Sequence, residues 1–193
     1  MGKLYFLIGL PRSGKSTLAR KWAKCQIEIK SGGRITDYSD YFVSGRVIPE
    51  NPRVVVCGDD IRLALGHRYN YFVEDFVCTT KYTMVRALLR NHDVLLDETN
   101  TTEQSISALL KIDPKAKCYF VNTPIETCIQ RAKDTRQDDL VPIIEKMSQN
   151  LTDLAMSFLH SSDSYKGRIY STIDCLRKDA KFHKENYQVI NER

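Results

Sequence analysis

Leu4-Tyr5-Phe6-Leu7-Ile8-Gly9-Leu10-Pro11-Arg12-Ser13-Gly14-Lys15-Ser16-Thr17 decides the fold. From Gly9 to Ser16 it fits G-x-x-x-x-G-K-[ST] at every fixed position, and that spacing has a chemical purpose. The glycines let the backbone turn tightly, so that consecutive N–H groups face one anion. Lys15 is placed to reach the outer phosphates of a nucleotide as a point charge, and the Ser16 hydroxyl to hold Mg²⁺. The five apolar residues before the loop read as a buried parallel strand. After the loop, residues 16–27 carry Leu18, Trp22, Ala23 and Cys25 among Arg and Lys, which suits an amphipathic helix. Its positive end would point at the phosphates.

Moving outward, strand alternates with helix along the chain. Arg53–Cys57 is a β-branched run that ends at Gly58-Asp59-Asp60, where a short helix starts and then stops at Gly66. A long helix is expected from Phe72 to Arg90, with Phe72, Phe76, Thr80, Met84, Ala87 and Leu88 on its apolar face. Val94–Leu96 is a third strand and ends at Asp97-Glu98. Thr101 or Thr102 caps a helix over Glu103–Ile112. Ala116–Val121 is a fourth strand, Pro124 opens a helix to about Ala132, and Val141-Pro142 opens another to about His160. Residues 28–52 break the pattern as an irregular insertion with a short hairpin at Gly33–Val47. Ser164–Lys181 is expected to be helical and Tyr187–Ile190 to form a last strand.

This alternation predicts an α/β fold, a three-layer parallel sheet with helices on both faces. The 193 residues are read as one P-loop domain, with residues 131–160 as a helical lid region. In such folds ligands bind outside the carboxyl ends of the strands. The glycine loop, Asp59-Asp60 and Asp97-Glu98 all fall at such ends, so three separate segments should converge on one crevice.

Composition narrows the class. The chain is 42% hydrophobic and 27% charged, as in ordinary globular proteins. No apolar run approaches the ~20 residues of a membrane helix, and the chain enters a strand directly, so no leader is expected. Six cysteines are scattered with no C-x-x-C pair, which predicts reduced thiols and a cytoplasmic protein, not a disulfide framework or a zinc site. The net charge of +5 is unevenly spread: +6 over residues 1–53, −3 over 54–162 and +2 over 163–193. The basic amino-terminal part serves the loop and fits either a polyanion or a solvated face.

Asp97 closes an apolar run, as the metal-supporting carboxylate of P-loop enzymes does, opposite Ser16. One of Asp59 and Asp60 can face the γ-phosphate and take a proton from an acceptor hydroxyl; spacing alone leaves open which. Arg131, Lys133 and Arg136 can close over the nucleotide and neutralise charge on the transferring group. Arg12 faces either the nucleotide or the acceptor.

Together, the glycine loop, Asp59-Asp60-Ile61-Arg62, Leu96-Asp97-Glu98-Thr99-Asn100, Arg131 with Arg136, and Val141-Pro142 resemble the 5′-kinase domain of phage-type polynucleotide kinases over about residues 1–160. The resemblance implies ATP and Mg²⁺ as cofactors and nucleic acid repair as the setting. It implies Asp59 as general base on a 5′-hydroxyl, Arg62 as contact to an acceptor phosphate, and Asp97 as the metal-side carboxylate. It also implies Arg136, with Arg131 beside it, as the lid arginine. Two departures stand out: residues 28–52 lengthen the gap between Lys15 and Asp59, and Gln104 and Ser105 stand where arginines commonly follow the Thr-Asn element.

The expected function is transfer of the ATP γ-phosphoryl to a 5′-hydroxyl of DNA or RNA, in the cytoplasm or, for a phage protein, the host's. Tyr38, Tyr41 and Phe42 of the insertion would stack on bases, and Lys30, Arg34, Arg46 and Arg53 would meet phosphates. The alternatives are a kinase of a small acceptor (nucleoside, nucleotide or sugar derivative) and, last, an ATP-binding switch that transfers nothing. Asn122-Thr123-Pro124-Ile125 does not supply the Asn-Lys-x-Asp of a GTPase.

Overall fold

The computed structural model describes residues 1–26, 49–66, 69–121 and 123–160. The expected hairpin at Gly33–Val47, the stacking residues of the insertion, the helix at Ser164–Lys181 and the strand at Tyr187–Ile190 lie outside these.

Four strands, β1 (Leu4–Ile8), β2 (Arg53–Cys57), β3 (Asp93–Asp97) and β4 (Lys117–Phe120), form one parallel sheet in the order β2-β3-β1-β4. Side chains alternate across a strand, so β1 feeds two cores. Leu4, Phe6 and Ile8 join Val56, Val94, Leu96 and Phe120 on one face. Tyr5 and Leu7 join Leu95 and Tyr119 on the other. All five β1 residues are buried, which is why the strand reads as an unbroken apolar run.

The second face is covered by α1 (Lys15–Ala23) through Leu18, Ala19 and Trp22. Trp22 is fully buried and packs on Tyr5, with ring centroids 5.4 Å apart. The helix stops at Ala23, short of the expected Ile27, because Cys25 turns to a φ of 56°. After β2 the chain passes directly into the short α2 (Gly58–Ala64). The first face receives α3 (Tyr71–Leu88), α4 (Glu103–Ile112), α5 (Ile125–Asp134) and α6 (Val141–His160). Thr102 caps α4 by accepting from the Ser105 N–H at 3.3 Å. A short 3₁₀ turn, Asp138–Leu140, joins α5 to α6, and α6 sets Ile144, Leu151 and Leu154 into the core.

The apolar face expected for α3 is corrected. Phe72 is 92% exposed and Phe76 58%, whereas Val77, Lys81 and Val85 are buried. Two stripes of α3 repeat every four residues, so periodicity cannot choose between them. The aliphatic stripe fits the branched surface of the sheet. It tolerates Lys81 because that ammonium meets Glu98 at 3.3 Å.

The strand order is what places the site. The chain leaves β1 for the far edge, returns to β3 in the middle, then crosses to β4. Connections therefore depart from β1 and β3 in opposite directions, and the crevice opens between their carboxyl ends. The register pairs Cys57 with Asp97, which brings the start of α2 beside the end of β3.

Candidate functional site

The loop between β1 and α1 is held in a backbone shape few residues adopt. Gly14 caps α1 at a φ of 99°, and a Cβ on Gly9 would lie 2.8 Å from the Val121 carbonyl oxygen. Arg12 is also left-handed, at a φ of 64°, which costs energy in a non-glycine residue. Its neighbours hold it there. The Arg12 carbonyl accepts from Arg131 Nη1 at 3.1 Å, and the Arg12 guanidinium donates to Thr135 Oγ1 and to the Arg131 carbonyl. Thr123 Oγ1 donates to the Ser13 carbonyl at 2.8 Å, and the Gly9 N–H to the Thr99 carbonyl at 3.0 Å. Asn100, at a φ of 45°, donates from Nδ2 to the Leu7 carbonyl at 2.8 Å. Thr99 and Asn100 thus staple the end of β3 to the loop strand.

Lys15 is 7% exposed. Its Nζ donates to the Leu10 carbonyl at 2.5 Å and to Ser13 Oγ at 3.4 Å. Burial lowers its pKa to about 8, against the opposing pull of Asp97, Cys128, Glu98 and Asp59. Asp97 is equally buried and hydrogen-bonded to the Ser16 side chain; burial raises its pKa while Ser16 and Lys15 hold it down. A buried cation, a hydroxyl and a carboxylate therefore meet at the amino end of α1. Pro11 lies within the loop, and Thr17 is exposed on the first turn of α1.

Across the crevice, α2 presents Asp59, whose side chain is 80% exposed. Its charge is felt at both Lys15 and Asp97, and Asp60 figures in neither shift. Arg62 donates from Nη1 to Asp59 at 2.5 Å and forks onto Glu74 of α3 through Nε and Nη2, each at 2.7 Å. Glu74 raises the Arg62 pKa further, so the guanidinium stays charged. Three donors are engaged; by inventory two of the five remain for an acceptor. Its carbon centre lies 6.0 Å from the Tyr69 ring, and Tyr71 and Phe72 follow edge to face at 6.1 Å.

The arginines after α5 separate. Arg131 is bonded to the loop through Arg12. Arg136 is exposed at the helix end, at a φ of 55°, and its side chain makes no hydrogen bond or ion pair among the described residues. Sequence reasoning gave no role to Glu74, Lys81, Thr123 or Thr135, and left Glu98 aside. Their partners lie 12 to 123 positions away, beyond any local pattern.

No protein-family model matches the chain, and no curated protein matches it in sequence. Solved structures do. A chain of the Pnkp1/Rnl/Hen1 complex is similar at 25% identity and a TM-score of 0.50, over 67% of this chain and 39% of that one. A chain of the Pnkp1/Rnl/Hen1 RNA repair complex is similar at 21% identity and a TM-score of 0.53, over 77% and 45%. The present chain thus spans less than half the length of either. The shikimate kinase of Acinetobacter baumannii, in complex with shikimate, is a looser likeness at 17% identity and a TM-score of 0.43, over 96% and 95%. The likeness supports an α/β fold, a parallel sheet with helices on both faces.

Proposed function

We propose that this chain is an ATP-dependent phosphotransferase that moves the γ-phosphoryl group to a 5′-hydroxyl of DNA or RNA. One arrangement carries the reading: Lys15 is buried in the glycine loop, Asp97 is bonded to Ser16 beside it, and the pairing of Cys57 with Asp97 brings Asp59 at the start of α2 to the same strand ends. The loop amides and Lys15 bind the triphosphate and offset its charge. Asp59 accepts the proton of the hydroxyl as its oxygen bonds to the γ-phosphorus and the bond to the β-phosphate oxygen breaks. Arg62, held by Glu74, orients the acceptor through its remaining donors. Arg12 and Arg131 hold the loop, and Arg136 is free to approach the nucleotide from the helix end.

The site fits Mg²⁺, because the Ser16 hydroxyl and the Asp97 carboxylate already share a hydrogen bond and both are hard oxygen donors. Bound there, Mg²⁺ would neutralise charge on the phosphate oxygens. Support for a nucleic-acid acceptor comes from Tyr69, Tyr71 and Phe72, which are 72%, 79% and 92% exposed in the chain order that leads away from Arg62. Ring faces in such a row suit stacked bases. The similar chain from an RNA repair complex agrees with that class. No helix of the described residues is long and apolar enough to cross a membrane.

The test is end-labelling. Radiolabelled ATP is incubated with 5′-hydroxyl DNA and RNA oligonucleotides and, in parallel, with nucleosides and sugar derivatives. Label on the oligonucleotides is expected. Label only on the small molecules would replace the acceptor class, and ATP binding without transfer to any acceptor would end the transferase reading.

A further inference from the structure

Asp97 and Glu98 are adjacent at the end of β3 but serve opposite sides of the crevice. Asp97 turns to Ser16 and Lys15. Glu98 turns to the other wall, where Oε1 accepts the Gly58 N–H at 3.0 Å and meets Lys81 Nζ at 3.3 Å. The side chains of Glu98 and Lys81 are 20% and 11% exposed, so the pair is largely shielded from water.

Gly58 is the first residue of α2, and its N–H is one of the donors that a helix cannot satisfy internally. The residue before it is Cys57, which makes no side-chain capping bond. The capping acceptor comes instead from a strand end 40 positions away. Space is matched to this contact: a Cβ on Gly58 would lie 2.4 Å from Glu98 Oε1. Lys81, on the buried stripe of α3, fixes the carboxylate from behind, while Arg62 and Glu74 tie the same two helices farther along.

We infer that Glu98 is a positioning residue: through Gly58 and Lys81 it sets α2 against the end of β3 and so fixes Asp59 relative to the phosphate loop. This rests on the proposed phosphotransferase reading for its kinetic part and on geometry alone for the rest. Glu98 itself moves no proton in this scheme, which gives that step to Asp59. Its neighbour Asp97 keeps the metal side. Two consecutive residues therefore set the two walls of the crevice from one strand end.

Glu98→Ala and Glu98→Gln separate this role from general stability. In Glu98→Gln the new side-chain amide oxygen still accepts from the Gly58 N–H, so this variant should retain most function while losing the charge against Lys81. In Glu98→Ala, amide hydrogen exchange over residues 58–64 should speed up by about tenfold, with the glycine loop and α1 as protected as before. Transfer should fall by about a hundredfold in kcat, the cost of a small misplacement, with the KM for ATP within about threefold of wild type. Gly58→Ala, which crowds the same carboxylate, should mimic Glu98→Ala in both readouts. Unchanged exchange over 58–64 in a folded Glu98→Ala protein would overturn the proposal. So would a loss in Glu98→Gln equal to that in Glu98→Ala. If Glu98→Ala does not fold, Lys81→Met and Gly58→Ala carry the same exchange test. Exchange that changes as expected in a protein showing no transfer at all would leave the positioning intact and condemn the catalytic reading alone.

Discussion

The two walls of the crevice are built differently. On the loop wall Lys15 and Asp97 are each 7% exposed; Thr123, Asn100 and Arg131 donate to the strand and loop around them, and the Thr99 carbonyl accepts from Gly9. On the α2 wall Asp59 is 80% exposed, and the helix is held by side chains: Glu98, Lys81 and the Arg62–Glu74 fork. On the proposed phosphotransfer, the difference follows from what each wall would receive. A triphosphate brings concentrated charge, so its cradle must be formed beforehand or part of the binding energy goes into ordering it. An acceptor hydroxyl has no charge to offset burial of a carboxylate. In the proposed reaction Asp59 would stay in water until the acceptor covers it.

Several changes would break or sharpen that contrast. The largest effect is expected on the loop wall. Lys15→Ala should reduce transfer by about a thousandfold or more and weaken ATP binding, because among the described residues no other cation is buried against the loop. Titration calorimetry and end-labelling read the two effects. On the opposite wall, Asp59→Asn should cost about a hundred- to a thousandfold in kcat while ATP binds as in wild type. If Asp59→Asn keeps near-normal turnover and Asp60→Asn is dead, the roles of the neighbours are exchanged.

Aromatic residues sharpen the same comparison through stability. Trp22→Ala beneath the loop wall should destabilise the fold by about 3–5 kcal/mol, seen as a lower denaturation midpoint. Phe72→Ala beyond the α2 wall should change stability by about 0.5 kcal/mol or less yet raise the KM for an oligonucleotide several-fold. An unchanged oligonucleotide KM would remove the stacking role.

Acidity gives a gentler test. Burial lowers the Lys15 pKa to about 8 from its ordinary 10.5. Between those values the unfolded chain holds more protons than the folded one, so stability should rise with pH across that window as the cost of burying the cation is relieved. Phosphate binding favours the ammonium, so ATP binding should take up a proton near pH 8. Affinity should fall by about tenfold from about pH 7 to about pH 9. Calorimetry in buffers of different ionisation heat measures the uptake.

Much of the loop wall was legible. Leu4–Ser16 declared strand, glycine loop and helix in order, and Asp97 declared itself by closing an apolar run. Local rules suffice there because a loop of this backbone shape needs particular residues at fixed spacing. The α2 wall was legible only in part. Asp59 and Asp60 are equivalent as neighbours in sequence; which of them serves the crevice depends on how a seven-residue helix turns against β3. The α3 face was misread, since two stripes share one period and only the sheet beneath selects the aliphatic one.

By itself the sequence determined a phosphate-binding loop within alternating strands and helices, because those features depend on backbone freedom and short-range periodicity. Tertiary structure decided that Arg131 grips Arg12 while Arg136 stands apart, and that Glu98 accepts from the start of the second helix. Each of those depends on strand order: β3 between β1 and β2, with β4 beyond β1, brings together residues as much as 123 positions apart. No local pattern records such a neighbour.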